Sequence, residues 1–296
     1  MKDKILIIGG CGYIGSRLYT YLKENKYDVE TLDLEKYGNI VNANNVKRDY
    51  SKVSKKFFNK YQIIILLAGY SSVKMCKGNM LDTFNNNVVN FVNLLNKLDN
   101  QILIYASSAS VYGGTKKKVV SEDYDRYTPS TYYDLSKKEI DYYAQLSSKN
   151  IFGLRLGTVC GYSPNLRTDV MINKMYESAL RKGEITIFNS TFNRPILGFD
   201  DLCRSIEKII KSKKKCGIYN IVSFNMNIKE IAKNVAKRVD DTKIIDIGDD
   251  LYYYSFSVSN NKFEDAFNFK FKDNIESILQ SLEKNYDIVK LRGQRK

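Results

Sequence analysis

The 296-residue sequence contains no histidine at all. This absence excludes Ser-His catalysis, a histidine general base and the commonest metal ligand. The five cysteines are an odd number, lie far apart and form no CxxC pair. Both a structural zinc site and a disulfide framework are therefore disfavoured, and we expect no bound metal. Any chemistry must come from hydroxyls, amines, carboxylates or a bound cofactor.

Long apolar runs are also missing, since none approaches the ~20 residues that a membrane-spanning helix needs. The N-terminus, MKDKILIIGGCGYIG, begins basic and apolar, but it enters a glycine turn instead of a long apolar segment and a cleavage site. With 43% apolar and 27% charged residues, the composition is that of a folded globular chain. The sequence predicts a soluble, cytoplasmic protein with no membrane contact.

Acidic residues are too few to balance the basic ones. The chain has 47 Lys and Arg but only 33 Asp and Glu, which gives a formal net charge of +14. Such an excess is typical of nucleic-acid binding. However, the lysines are scattered, and the short runs at 116–118 and 213–215 fall in predicted loops. A solvated lysine surface is the simpler interpretation, and a positive field could also concentrate an anionic nucleotide diphosphate. We expect no nucleic-acid partner.

Short apolar runs alternate with helical patterns in the first half of the chain. KILIIGG, DVETLDL, QIIILLAGY, QILIYASSA and IFGLRLGTV are predicted strands separated by polar helical stretches. Continuous apolar strands of this kind form parallel sheets covered on both faces. The fold class is therefore α/β, with a Rossmann-type doubly wound parallel sheet and a smaller α+β C-terminal part. We assign residues 1–160 to the first domain and 161–296 to the second, with interleaved segments.

A glycine turn follows the first strand. Gly9, Gly12 and Gly15 have the spacing of a dinucleotide-binding turn, in which glycines permit a tight turn, close approach of a pyrophosphate and close helix packing. Asp33 ends the second predicted strand, where a carboxylate would hold the adenosine ribose and repel a 2′-phosphate. NAD is therefore favoured over NADP. The alternative is a close helix–strand contact without a ligand.

Three polar residues form a candidate catalytic set. Ser108 follows a predicted strand, while Tyr133 and Lys137 form Y-x-x-x-K, whose four-residue step places both on one helix face. Because the free pKa of tyrosine is near ~10, a phenol that shuttles protons needs a nearby cation, which Lys137 can supply. Ser108 would then hydrogen-bond the substrate oxygen. In a chain with 23 tyrosines this spacing can also arise by chance.

The motifs GGCGYIG, YASSASVYG, PSTYYDLSK and RPILGFDDL together resemble the extended short-chain dehydrogenase/reductase family, in its NAD-dependent nucleotide-sugar epimerase/dehydratase branch. The resemblance runs from the first strand to about Leu202 and implies a homodimer built from the helices that carry NNNV and Tyr133. The implied substrate is a nucleotide-diphosphate sugar, with contacts from Ser108, Ser110, Thr158, Arg167 and Arg194. The implied cofactor contacts are Gly9, Gly12, Tyr13, Ile14, Gly15, Asp33, Asp49, Tyr50, Leu67, Ala68, Gly69, Asn87, Tyr133 and Lys137.

Some positions depart from the best-known four-epimerases of that family. Ser71 stands where they carry a cofactor-contacting lysine, Thr158 where many carry an asparagine, and a tyrosine within 252–254 replaces a late arginine. Because of these departures, the identity of the nucleotide in the sugar substrate stays open. Arg167 and Arg194 also have a simpler interpretation as surface ion pairs with neighbouring aspartates.

The residues after Ser108 bear on the reaction. Relatives that catalyse 4,6-dehydration place acidic residues there, but this chain has Ala109 and Ser110. Dehydration is therefore disfavoured, and without histidine so is inversion at carbons beside a ketone. The remaining expectation is NAD-dependent oxidation or reduction of a nucleotide sugar, at C4, by an epimerase or a dehydrogenase. The alternative is a dinucleotide-binding sensor or scaffold that catalyses nothing.

Overall fold

Seven parallel strands form the central sheet of the computed structural model, which describes residues 3–115, 118–124, 128–212, 216–249, 255–285 and 287. The strands in these residues are β1 (Lys4–Ile8), β2 (Asp28–Leu32), β3 (Asn45–Val46), β4 (Ile63–Leu66), β5 (Ile102–Ser108), β6 (Val119–Val120), β7 (Ile151–Leu156), β8 (Thr158–Cys160), β9 (Glu184–Ile187), β10 (Asn193–Gly198), β11 (Gly217–Ile221), β12 (Phe224–Asn227), β13 (Lys243–Asp246) and β14 (Ser257–Val258). The helices are α1 (Tyr13–Glu24), α2 (Lys55–Phe58), α3 (Val73–Cys76), α4 (Met80–Thr83), α5 (Asn90–Lys97), α6 (Tyr132–Leu146), α7 (Met171–Lys182), α8 (Phe199–Ser212), α9 (Ile228–Arg238), α10 (Asn261–Phe267) and α11 (Ile275–Glu283).

The strands of the central sheet bury both of their faces. In β1, Ile5 and Ile7 belong to one hydrophobic core, while Leu6 and Ile8 belong to another on the opposite face. Successive side chains of a strand point to opposite sides, so a run of four apolar residues supplies both cores. The predicted doubly wound α/β fold is thereby confirmed.

The strand order places the carboxyl ends of β1 and β4 at the centre of the sheet. The order is β11-β7-β5-β4-β1-β2-β3, and every neighbouring pair is parallel. The chain order reverses between β1 and β4, which is where open α/β sheets bind ligands. The predicted glycine turn follows β1 at this point.

After β7, the chain adds one more strand to the central sheet and forms three small sheets beside it, one of which includes β6. Strand β11 pairs with β7 at the sheet edge. The small sheets are β12-β10-β8, β13-β9 and β14-β6. The tyrosines at 252–254 and the lysines at 116–117 and 213–215 lie outside the described residues. In the described part of the chain, no helix is long and apolar enough to cross a membrane.

Candidate active site

The glycine turn is packed too tightly for side chains at two of its three glycines. Gly9 has φ +88°, and a β-carbon there would lie 2.6 Å from the backbone nitrogen of Ala68. A β-carbon on Gly15 would lie 2.1 Å from the carbonyl oxygen of Gly9. Gly12 precedes the first residue of α1, whose initial N–H groups have no partner within the helix. The turn therefore presents amide hydrogens and the positive end of α1.

Asp33 lies immediately after β2 and faces this turn. Its Oδ2 accepts a hydrogen bond of 3.1 Å from the backbone N–H of Cys11, and its Oδ1 accepts one of 2.7 Å from Glu35. These two bonds hold the carboxylate beside the glycine turn. The expected ribose contact of Asp33 stays a prediction.

Two residues that the sequence analysis missed hold the backbone of the glycine turn by hydrogen bonds. The Ser163 hydroxyl donates to the carbonyl of Tyr13 at 2.6 Å, and the Asn165 amide donates to the carbonyl of Cys11 at 2.7 Å. Both follow β8, about 150 residues from the turn. No local pattern marks them, so only the fold could reveal this contact.

The loop after β4 is fixed by Asn87. A β-carbon on Gly69, where φ is +150°, would lie 2.9 Å from the Asn87 side-chain oxygen. That oxygen accepts from the N–H of Tyr70 at 2.8 Å, while the Asn87 amide donates to Ser136 at 3.0 Å. Asn87 lies in a π-helical turn at 84–89, a distortion often found at functional sites. The asparagine thus joins this loop to α6.

Tyr133 and Ser108 meet at the carboxyl end of β5. Ser108 ends that strand and Tyr133 lies in the first turn of α6. Burial raises the pKa of Tyr133 to about 12, and the nearby Ser108 hydroxyl opposes part of this rise. Without further positive charge, the phenol is protonated at neutral pH.

Lys137 lies one helical turn beyond Tyr133. It is only 9% exposed, its ammonium donates to the carbonyl of Ala106 at 2.7 Å, and it lies 5.9 Å from the centre of the Tyr133 ring. Burial lowers the pKa of Lys137 to about 8. Ala68 and Asn87 line the same small cavity as Lys137. The structure therefore brings the predicted catalytic set and the loop after β4 to one place.

Comparison with known proteins agrees with this geometry. The family model described as NAD dependent epimerase/dehydratase family matches residues 5–222, which is most of the chain. The protein belongs to this family. Members of the NAD-dependent epimerase/dehydratase family are extended short-chain dehydrogenases/reductases, as the four motifs implied. The curated relative Protein CapI of Staphylococcus aureus is 28% identical over 233 residues, covering 70% of this chain and 69% of that protein.

Solved structures share the fold across almost the whole chain. The UDP-glucuronic acid 4-epimerase of Bacillus cereus, in complex with UDP-glucuronic acid and NAD, has a TM-score of 0.83 at 22% identity and covers 97% of this chain and 99% of its own. The dTDP-glucose 4,6-dehydratase of Bacillus anthracis, in complex with NAD, has a TM-score of 0.81 at 20% identity, with 96% and 98% covered. Both epimerases and dehydratases are therefore similar to this protein.

The family cofactor NAD fits the residues of this chain. The glycine turn leaves no room for β-carbons at Gly9 and Gly15, and α1 begins at this turn. Asp33 would offer its carboxylate to a ribose, and Lys137 would offer an ammonium beside Tyr133. Leu67, Ala68 and Gly69 follow β4 at the neighbouring strand end.

Three further predicted cofactor residues use their side chains within the protein. The Tyr13 hydroxyl donates to the carbonyl of Gly161 at 2.9 Å, so a cofactor contact from Tyr13 or Ile14 would have to come from the backbone. Asp49 accepts hydrogen bonds from the N–H and hydroxyl of Ser51. The Tyr50 hydroxyl points to the Asn86 carbonyl at 3.4 Å. The roles of these residues stay predictions.

Arg167 lies close to the catalytic residues but is already paired. Its guanidinium binds Asp169 through two hydrogen bonds of 2.9 and 2.8 Å, and its Nη1 donates to the Ser71 hydroxyl at 3.1 Å. Its charge also lowers the pKa of Tyr133. The Asp169 ion pair agrees with the simpler interpretation given above, while the electrostatic effect on Tyr133 and the bond to Ser71 place Arg167 at the site.

The other expected substrate residues lie on the small sheet and beside Ser108. Thr158 begins β8 and pairs in register with Ile196 of β10, two residues from Arg194. The Arg194 Nη1 donates to the carbonyl of Asn193 at 3.1 Å. The Ser110 hydroxyl oxygen is buried and lacks a hydrogen-bond partner within the described residues. No contact here assigns these residues to a ligand.

Proposed function

We propose that the protein uses NAD to oxidise or reduce a carbinol carbon of a nucleotide-diphosphate sugar, at C4. The observation that carries the proposal is that the Lys137 ammonium lies 5.9 Å from the Tyr133 ring on one face of α6, beside the end of β5 where Ser108 stands. Proton transfer from a hydroxyl and hydride transfer from its carbon require this kind of set beside a nicotinamide.

The proton is handled by Tyr133. As the carbinol is oxidised, the phenolate oxygen of Tyr133 accepts the hydroxyl proton, and it returns that proton when a carbonyl is reduced. Bound NAD would supply the hydride acceptor and, in its oxidised form, a positive charge. Because burial raises the pKa of Tyr133 to about 12, the ammonium of Lys137 and other nearby positive charge are needed to stabilise the phenolate. Ser108 orients the reacting oxygen.

We further propose that the two parts of the chain bind different ligands. Residues 1–160 would hold NAD and residues 161–296 the nucleotide sugar, with Arg194 on the diphosphate and Thr158, Ser110 and Arg167 near the sugar. The bound UDP-glucuronic acid of the Bacillus cereus epimerase supports this class of substrate. The free cysteines support a reducing, cytoplasmic setting.

A 4,6-dehydration is the second candidate reaction. Dehydratases occur among the similar structures, so the comparisons do not support our expectation against this reaction. The sequence itself still disfavours dehydration. A dehydratase needs acidic groups to remove a proton and to protonate the departing hydroxide, but this chain has Ala109 and Ser110 after Ser108. We therefore keep C4 epimerisation or dehydrogenation as the leading proposal.

Turnover in D2O distinguishes these reactions. A C4 epimerase returns the hydride to the same carbon, so its product gains no carbon-bound deuterium, whereas a dehydratase exchanges the proton at C5 with solvent. We expect mass spectrometry to show either an epimer with unchanged carbon-bound hydrogen or a 4-ketosugar that keeps its C6 hydroxyl group. A deoxysugar carrying deuterium at C5 would identify a dehydratase and refute the C4 proposal.

We also propose a homodimer through α6, which carries Tyr133, and the helical stretch 80–97, which carries NNNV and begins with α4 packed against α6. Large apolar side chains are exposed on both helices, with Leu81 at 66% and Leu146 at 87% exposure. Exposed apolar surface of this kind is typical of interfaces. A second copy of the chain would bury it.

Charges on this surface are expected to separate the dimer. The variant Leu81→Glu/Leu146→Glu should sediment as a 34.2 kDa monomer, while the unchanged protein sediments at twice that mass. Ile247→Glu, an equally exposed site after β13, is the control and should remain dimeric. A monomeric unchanged protein at micromolar concentration would rule the dimer out.

A further inference from the structure

A buried ion pair lies behind the catalytic lysine. Arg155 on β7 donates from Nε to Oδ2 of Asp141 at 2.8 Å, and the Tyr105 hydroxyl on β5 donates to Oδ1 at 2.8 Å. Arg155 is 3% exposed and Asp141 is 1% exposed. Both carboxylate oxygens are thus held by the central sheet, in a place that water does not reach.

This pair lies on the catalytic face of α6. Tyr133, Lys137 and Asp141 follow one another at four-residue steps, which places them along one side of the helix. The Lys137 ammonium donates to Ala106, the residue next to the Tyr105 that holds Asp141. Asp141 is therefore the carboxylate one helical turn after Lys137. The buried Asp134, one turn before Lys137, accepts hydrogen bonds from the Thr131 and Ser130 hydroxyls.

Stability alone gives a weak reason for this arrangement. Burying a carboxylate and a guanidinium costs several kcal/mol of desolvation for each ion, and apolar side chains of similar volume often stabilise a core as well or better. A role for the charge itself explains the pair better, because the neighbouring functional group is an ammonium that must also be charged in a dry site.

We propose that Asp141 is a positioning residue that keeps Lys137 in its charged form, with Arg155 as the counterion of the Asp141 carboxylate. This inference rests on the proposed function in one respect: the proposed function gives the charge of Lys137 its catalytic role. The carboxylate acts through Lys137 and touches neither substrate nor cofactor. The buried Arg155 is the ion that allows a carboxylate to stay charged at this depth.

The groups around Lys137 leave Asp141 as its main source of negative charge. Burial lowers the pKa of Lys137, and the charge of Asp141 is the largest influence that raises it again. The Cys76 thiol on α3 also faces Lys137, but burial raises the pKa of Cys76, so it is neutral near pH 7. The phenols Tyr133, Tyr105 and Tyr50, which lie beside Lys137 or line its cavity, also have raised pKa values.

Replacing Asp141 by asparagine tests the proposal. Lysine is charged below its pKa, so loss of the carboxylate should move the titration of Lys137, and the high-pH limit of turnover, down by about one pH unit or more. The titration is read from the 13Cε resonance of Lys137 in lysine-labelled protein, assigned by its loss in Lys137→Met. This signal reports on Lys137 even if the sugar substrate proves to be wrong.

Two further variants separate charge from structure. Asp141→Asn removes the carboxylate beside the buried Arg155 but leaves the charge of Arg155, which still donates to the Tyr112 hydroxyl. Asp141→Asn/Arg155→Gln removes both charges and should still show a downward shift, no larger than that of Asp141→Asn. Tyr105→Phe removes a hydrogen bond to Asp141 but no charge, and should leave the midpoint of Lys137 unchanged. An unshifted Lys137 in a folded Asp141 variant would overturn the proposal, and so would failure of both Asp141 variants to fold, which would make the pair structural.

Discussion

Replacing Tyr133 by phenylalanine is expected to lower turnover by roughly 10²- to 10⁴-fold, the range for loss of a positioned acid–base group. The ring of Tyr133 remains, so the packing around Lys137 and the glycine turn should not change. Only the hydroxyl that lies near Ser108 and carries the proton in our proposal is lost. The measurement is steady-state turnover of a nucleotide sugar, together with NAD binding by calorimetry, which should be close to that of the unchanged protein.

The neighbouring tyrosine provides the matched control. Tyr132→Phe makes the same chemical change one residue earlier, at a side chain that is 44% exposed. We expect its turnover to be within a factor of two of the unchanged protein. Near-normal turnover in Tyr133→Phe would remove Tyr133 from the chemistry and would favour a sensor or scaffold that only binds NAD.

The substitution Gly9→Ala is expected to lower the affinity for NAD at least tenfold. The added methyl group would lie 2.6 Å from the Ala68 nitrogen, a distance that backbone atoms cannot accept, so β1 and the loop after β4 must separate. Both strand ends belong to the proposed cofactor site. Calorimetric titration of NAD measures the effect directly.

Gly38→Ala controls for backbone strain in this experiment. Gly38 has φ +80°, close to the +88° of Gly9, but a β-carbon there meets nothing within 4 Å. Both variants should lose on the order of 1 kcal/mol of stability from the left-handed backbone conformation, and only Gly9→Ala should lose NAD affinity. Equal affinity in the two variants would mean that the turn does not hold the cofactor.

Much of the fold could be predicted because its signals are local. Apolar strand runs indicate a two-sided sheet, and the core partition of Ile5, Leu6, Ile7 and Ile8 follows from strand geometry alone. The same holds for Tyr133 and Lys137, whose spacing on one helix fixes their common face. The family resemblance added residues such as Asn87, which the structure places beside Lys137.

Contacts between distant segments could not be predicted in this way. Ser163 and Asn165 brace the glycine turn, yet both are ordinary polar residues in an irregular segment. The bidentate pair of Arg167 with Asp169 is local, but the approach of Arg167 to Ser71 depends on how two loops meet. In the sequence, Asp141 looks like an ordinary polar helix residue. Its contacts with Arg155 and Tyr105 depend on the fold.

The central claim is hydride transfer between NAD and a nucleotide sugar. The most direct test is proton NMR of UDP-, GDP-, CDP- and dTDP-linked sugars that have been incubated with the protein and NAD. Absorbance of the reduced nicotinamide is read in parallel. We expect either an inverted configuration at C4 without accumulated NADH, or a ketosugar with an equal amount of NADH. No change in any of these sugars, or in their 4-keto derivatives offered with NADH, would contradict this claim.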